Sequence, residues 1–249
     1  MKAKFKVLDL KNLIKLSGGA SKTRALLDPV KARIGKSGTF NVAVSDEAVT
    51  LACVVKAKGV LEADEDFEVV YSPKLLLRVL DDYLKFSEDV ELKVEDTKLV
   101  LEGKEGRYEE GLIAQDVREV YDVMTDDYLR PNIEAEKFAV FAVDTADFKN
   151  LGTGDTVVIA ATKIGLKLEV PVGTGKVVKN ITANIIEKPR KDITIRYVLD
   201  KQALKQIMSV LSGTAYIVLM HSNGEPAPIT VGQDKEKIKV AYWLVPMES

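Results

Sequence analysis

One arrangement of residues occurs twice in this chain, and that repetition limits the possible folds more than any other feature. Val70-Tyr71-Ser72-Pro73-Lys74-Leu75-Leu76 leads through a helical stretch into the alternating run Val90-Glu91-Leu92-Lys93-Val94. The same order returns as Arg196-Tyr197-Val198-Leu199-Asp200-Lys201-Gln202-Ala203-Leu204, then a helix, then Tyr216-Ile217-Val218-Leu219. The openings of the two halves also match, Phe5-Lys6-Val7-Leu8-Asp9-Leu10 against Phe141-Ala142-Val143-Asp144-Thr145-Ala146. Two copies of one unit need two cores, and 249 residues suffice for both. Repeated units of this kind assemble into rings or shells more readily than they enclose one catalytic pocket.

Period-2 alternation dominates, as in Ala3 to Val7, Thr39 to Val44, Val49 to Cys53, Leu99 to Glu102, Val157 to Ala160, Leu166 to Val170 and Ile238 to Trp243. Four helices interrupt these strands. The first is expected from Asp9, with Leu10, Leu13 and Ile14 inward, to Gly18-Gly19. The second has Ser72 as N-cap, Pro73 in its first turn and a stripe of Leu76, Val79, Leu80 and Tyr83. A third runs from Ala146 to Leu151, and a fourth, capped by Asp200, packs Ala203, Leu204, Ile207 and Leu211 before Gly213. The expectation is α+β, with two similar domains over 1–117 and 134–249, antiparallel sheets, and helices covering one side. Residues 118–133 fit neither period and are expected to connect the halves.

Lysine and arginine number 36 against 38 acids, and the formal net charge of −2 gives no sign of a nucleic-acid binder. Net charge does not report distribution, however. Opposite the apolar stripes stand Lys11 and Lys15, Lys74 and Arg78, Lys149, and Lys201 and Lys205. Helices that shared a surface would make these a basic track, which phosphate backbones bind without regard to sequence.

Signals for catalysis are missing. His221 precedes a Ser222-Asn223-Gly224 turn and reads as a solvated turn residue; Cys53 sits in an apolar run and reads as a buried thiol. One His and one Cys supply no zinc-ligand spacing and no intramolecular disulfide. Gly18-Gly19-Ala20-Ser21-Lys22-Thr23 lacks the glycine that a phosphate loop needs before its lysine, and Gly173-Thr174-Gly175-Lys176 is followed by a strand. Acids at Asp81-Asp82 and at Glu62, Asp64, Glu65 and Asp66 read as solvated faces. No cofactor or metal is expected, nor any enzymatic activity. Neither a leader nor a span of about 18 apolar residues is present, so a soluble, cytoplasmic protein away from membranes is expected. Sparse Asn and Gln beside abundant Lys, Glu and Asp leans towards a thermophilic source.

Gly224-Glu225-Pro226-Ala227-Pro228-Ile229-Thr230-Val231, a charged turn, and Lys239-Val240-Ala241-Tyr242-Trp243-Leu244-Val245-Pro246 resemble the closing hairpin of sliding clamps of the proliferating cell nuclear antigen (PCNA) family, archaeal type. Val44-Ser45-Asp46-Glu47-Ala48-Val49-Thr50-Leu51 is similar to the family's Met-Asp-x-x-His-Val-x-Leu segment, departing at Val44, Ser45 and Ala48; Val245 replaces the closing Ala. The resemblance implies two clamp-type domains and a ring of three subunits, homomeric or heteromeric, with helices inside around duplex DNA and sheets outside. It implies subunit edges at Tyr108 to Gln115 and Lys176 to Ala183, with Tyr108, Leu112, Ile113, Val177, Val178 and Ile181 at the interface. It also implies a peptide pocket at Val44, Val49, Leu51, Val120, Tyr121, Val123, Met124, Pro228, Trp243, Val245 and Pro246. Implied partners are DNA polymerase and other replication or repair proteins carrying PCNA-interacting (PIP-box) peptides, and an ATP-driven clamp loader. The alternatives are a specialised paralogue, either a heterotrimer subunit or a virus- or plasmid-encoded clamp, and an unrelated duplicated α+β ligand-binding protein or enzyme.

Overall fold

The computed structural model describes residues 1–113, 116–120, 135–152, 154–162, 164–188 and 194–247. They form two compact units that exchange short segments of chain. The first comprises Met1–Ala48, Ala52–Tyr121 and Asp234–Val240; the second comprises Val49–Leu51, Asp122–Gln233 and Ala241–Ser249.

In the first half the order is β1 (Lys2–Lys6), α1 (Val7–Gly18), β2 (Val30–Gly35), β3 (Thr39–Ser45), β4 (Leu51–Lys58), β5 (Val60–Ala63), β6 (Phe67–Tyr71), α2 (Pro73–Asp82), β7 (Asp89–Glu95), β8 (Lys98–Gly103) and β9 (Gly106–Gly111). The second half follows with β10 (Glu136–Asp144), a one-turn 3-10 helix (Thr145–Phe148), β11 (Thr156–Thr162), β12 (Gly165–Val172), β13 (Gly175–Ile181), β14 (Ala183–Glu187) and β15 (Ile195–Asp200). It closes with α3 (Lys201–Val210), β16 (Thr214–Ser222), β17 (Glu225–Pro226), β18 (Ile229–Lys235) and β19 (Ile238–Leu244).

Strand order repeats as the sequence does. The first half gives β5-β1-β7-β8-β9 and β4-β3-β2-β6; the second gives β14-β10-β16-β18-β19 and β13-β12-β11-β15, with β17 appended to β16. Each strand but β17 therefore has a counterpart, with β9 matching β19 and β13 matching β4.

In the first unit α1 and α2 pack together and place Leu10, Leu13, Ile14, Leu76, Leu77 and Leu80 in a core with Phe5, Phe40 and Tyr71. Phe5 and Phe40 meet edge to face at 6.4 Å, and the Ser17 and Tyr71 hydroxyls hydrogen bond at 2.7 Å inside this core. Gly18 is necessary there, since a Cβ would stand 2.7 Å from Pro73 Cγ. The second unit buries Phe141, Phe148, Ile159, Tyr197, Leu204, Ile207 and Ile217, and Tyr197 Oη donates to the Met220 carbonyl at 2.9 Å.

Several expectations are corrected. Helix α1 begins at Val7, two residues before Asp9; no side chain caps it, and Asp9 instead lies in the first turn, where a carboxylate favours the helix dipole. The third helix is a single 3-10 turn capped by Asp144 Oδ1, which accepts from Ala146 N–H at 2.9 Å. Val49 has φ 55° and precedes its strand, which starts at Leu51. Tyr83 leaves the α2 stripe, because it is the C-cap and points to solvent, 70% exposed. His221 is not in a solvated turn: β16 runs past it to Ser222, and it is 6% exposed, edge-on to Phe138. Cys53 is a buried thiol, as expected, and its Sγ donates to the Leu16 carbonyl at 3.4 Å. Among the described residues no helix is long and apolar enough to cross a membrane, and no cluster of three or more His, Cys, Asp or Glu could hold a metal ion.

Candidate functional site

In the first unit the helical faces opposite the core carry the expected cations. Lys15, Lys74 and Arg78 are exposed. Lys11 is half-buried, and its Nζ lies 2.9 Å from Asp81 Oδ1, so much of its charge is balanced within the protein. Lys22, just beyond α1, reaches Asp82 Oδ1 at 2.8 Å and Asp81 Oδ2 at 3.6 Å. Its hydrogen bond holds the Asp82 carboxyl below the usual range, with further help from the charges of Arg78 and Lys85. The two acids thus absorb Lys11 and Lys22 and leave Lys15, Lys74 and Arg78 as the outward cations.

The second unit presents Lys149 and Lys205, both exposed. Lys201 departs from the expected track. It is 4% exposed, its Nζ donates to the Gly152 carbonyl at 3.1 Å and its backbone N–H to the Asp155 carbonyl at 2.9 Å. At the first position of α3 its side chain folds back over the preceding loop, where it fastens the helix start and cannot meet a ligand.

The predicted connector begins as a fragment of sheet. Strands β2 and β3 pair only as far as Ala32 and Val42, which leaves Ala43 to Ser45 open on that side. Residues 118–120 fill the opening: Ser45 N–H donates to Arg118 O at 3.0 Å, Val120 N–H to Ala43 O at 3.0 Å, and Val44 bridges Glu119. Glu119 is clamped by Lys31 Nζ at 2.7 Å and Arg33 Nη2 at 2.6 Å, and Glu68 completes the network. These bonds raise the Lys31 pKa, Glu119 first, and lower that of Glu68, Lys31 first. Sequence reasoning missed this clamp; the signal was Lys31 and Arg33 two apart on one face of a strand.

Val44 and Val120 are buried in the first unit. In the second unit Leu51 and Trp243 are buried, Pro228 and Pro246 half-buried, and Val245 exposed. Val245 N–H donates to the Thr50 carbonyl at 2.9 Å, which brings Val49 to Leu51 beside the end of β19. Trp243 Nε1 is buried with no acceptor among the described residues. Tyr121, Val123 and Met124 lie outside the described residues.

Strands β9 and β13 both stand at the end of their sheets. β9 stops at Gly111, so Leu112 and Ile113 lie beyond it; Leu112 is exposed and Ile113 half-buried, while Gln115 is outside the described residues. Tyr108 is half-buried, and its Oη donates to Glu110 Oε2 at 3.1 Å. Val177 and Val178 are exposed. Ile181, in contrast, is 7% exposed and faces its own core, so it has no surface to offer another chain; β13 ends there and Ala183 begins β14 in another sheet. Lys179 fastens β13 to the 3-10 turn through Asp147 O at 2.7 Å and Oδ1 at 3.0 Å.

No protein-family model matches the chain, and no curated protein matches it. Solved structures do. Across 100% of this chain and 98% of the other, it superposes on A. fulgidus PCNA bound to the C-terminal region of FEN-1, with TM-score 0.69 and 15% identity. PCNA from Entamoeba histolytica gives TM-score 0.73 and 13% identity over 99% of this chain and 98% of that one. The fold is that of a DNA clamp. The DNA polymerase sliding clamp of Bacillus subtilis gives TM-score 0.72 and 18% identity over 100% of this chain but 64% of its own length. The clamp fold so assigned agrees with the α+β duplication expected from the sequence repeat.

Proposed function

We propose that this chain is a DNA sliding clamp of the PCNA type, a ring subunit that encircles duplex DNA and tethers polymerase and other replication or repair enzymes to it. The observation that carries this reading is the duplicated clamp fold whose helices present exposed cations, Lys15, Lys74 and Arg78 in one unit and Lys149 and Lys205 in the other. Coverage of the A. fulgidus and E. histolytica PCNA chains over 98% of their lengths favours the two-unit type, and the archaeal variety follows the resemblance of the closing hairpin. A ring held topologically needs only weak attraction to phosphates, which suits a chain whose net charge is −2.

Three subunits closing head to tail would join β9 of one to β13 of the next, unlike edges whose pairing satisfies the open backbone groups of both. Tyr108, Leu112, Ile113, Val177 and Val178 would line that joint. The partner pocket would take Val44, Val49, Leu51, Val120, Tyr121, Val123, Met124, Pro228, Trp243, Val245 and Pro246, and would receive peptides such as the FEN-1 segment held by A. fulgidus PCNA. The protein would act as a scaffold rather than an enzyme, in the cytoplasm at the nucleoid, opened by a separate ATP-driven loader.

Light scattering tests the reading: a homomeric ring has about three times the 27.4 kDa of the chain. A monomer that enlarges only with related chains would favour a heterotrimer subunit, and a stable dimer would refute the ring.

A further inference from the structure

Helix α2 ends in a turn that displays aromatic rings to solvent. Tyr83 is 70% and Phe86 77% exposed, while Leu84 between them is buried and anchors the turn. Exposed aromatics on a soluble protein call for explanation when the backbone that carries them is fixed. This backbone is fixed several times over. Tyr83 and Leu84 N–H both donate to the Val79 carbonyl, at 2.9 and 3.1 Å. Glu105 Oε2 accepts from Phe86 N–H at 2.7 Å and from Ser87 N–H at 3.0 Å. Gly103 lets the turn approach β8, since a Cβ there would stand 2.6 Å from Ser87 Oγ. The rings are therefore held outward by a braced scaffold.

Charge around the rings points to the occupant. Lys85 Nζ lies 4.7 Å from the centre of the Phe86 ring. Lys85 and Arg78 act on Asp82 only through space, and among the described residues neither has a carboxylate within ion-pair distance. Arg78 belongs to the outward face of α2 proposed to meet duplex phosphates, less than two helical turns before Tyr83. An apolar peptide would need a groove to bury its anchors, whereas these rings stand proud with Lys85 between them, and the flanking carboxylates Asp81, Asp82, Glu88 and Asp89 are each engaged by a lysine of the protein. Unpaired bases stack on such rings while phosphates meet such cations.

We infer that the Tyr83–Phe86 turn is a stacking platform for unpaired nucleotides, with Arg78 and Lys85 contacting the phosphates of the same strand. The inference rests on the clamp reading, in which DNA passes along α2. It adds a preference for DNA with a single-stranded stretch, as where a primer ends, over uniform duplex.

The test compares the full chain with Tyr83→Ala/Phe86→Ala and with the ring-keeping swap Tyr83→Phe/Phe86→Tyr. Fluorescence anisotropy with oligo(dT) should show a loss of about tenfold or more in the alanine variant and near wild-type affinity in the swap. Retention on closed circular duplex should be equal in all three. Oligo(dT) carrying 5-iodouracil should photocrosslink within residues 83–86. Unchanged oligo(dT) affinity in the alanine variant, an equal loss in the swap, or crosslinks confined elsewhere would each overturn the platform, as would loss of a protein partner with oligo(dT) binding intact. Failure of the wild-type chain to remain on closed circles would instead refute the clamp reading, so the two failures are separable.

Discussion

Two lysines four positions apart on α3 should behave oppositely when changed, and the contrast tests how the helix is set. Lys201 is buried with its ammonium on the Gly152 carbonyl at 3.1 Å; Lys205 is exposed one turn later. Lys201→Met keeps most of the methylene packing but removes a charged donor and leaves that carbonyl without it. A hydrogen bond from a charged group contributes roughly 1.5–3 kcal/mol. Taking about 2 kcal/mol, and 2–4 °C per kcal/mol for a chain of this size, Tm should fall by roughly 4–8 °C. Retention on closed circular DNA, measured well below the new Tm, should be unchanged. Lys205→Glu should shift Tm by no more than a surface substitution does, about 0.5 kcal/mol in stability, yet weaken retention most at low salt, because each lost phosphate contact lowers the salt slope by about one. Differential scanning calorimetry and retention measured across salt concentrations on the same preparations decide the matter. If Lys201→Met left Tm unchanged and weakened retention as Lys205→Glu does, Lys201 would face DNA and the buried anchor would be wrong.

A peptide of the Gln-x-x-Leu-x-x-Phe-Phe type should perturb Trp243 fluorescence, and Met124→Ala with Val245→Asp should weaken it by about thirtyfold, since truncated anchors cost about 2 kcal/mol; unchanged affinity in a folded, correctly assembled variant would place partners elsewhere. Glu169 is held below its ordinary value of 4.5, first by Arg196 and then by Lys176. Its stabilising contribution is therefore present above that value and lost as pH falls through the lower folded one, so the urea midpoints of wild type and Glu169→Gln should converge in acid; a gap constant with pH would argue against this ion pair. Gly18→Ala should cost about 1–3 kcal/mol by forcing a methyl against Pro73, and a neutral result in urea unfolding would show that α1 and α2 separate freely.

Much of the fold could be read locally because its signals are local. Ser72 caps α2 through Leu75 N–H, and Asp200 caps α3 through Ala203 N–H at 2.7 Å, as their positions before apolar stripes suggest. Alternation likewise located most strands. Reading failed where tertiary contacts decide. Ala146 to Leu151 has helical spacing, yet the turn ends at Phe148, where Lys149 N–H as C-cap reaches only the carbonyl of Ala146, three residues back. Lys201 sits on the polar side of its helix by period, but the first position of a helix faces the preceding loop. Ile181 alternates as an edge residue should, while its phase on β13 turns it inward. The Glu119 clamp joins residues 86 and 88 apart, a separation that no window along the chain encompasses.

The exchange of short segments between the two units governs how the gene can be divided. Cut after residue 121, the leading piece loses Asp234–Val240 and with it the Lys237 carbonyl that takes Lys58 N–H at 2.8 Å. The trailing piece loses Val49–Leu51 and the carbonyl that holds Val245. Neither fragment carries every residue of its own unit, although each carries a whole copy of the sequence repeat. Expressed apart, each would expose bare backbone and would aggregate more readily than the parent. Expressed in one cell they can complement each other, which makes a split gene at residues 121 and 122 a reporter of whether two polypeptides meet.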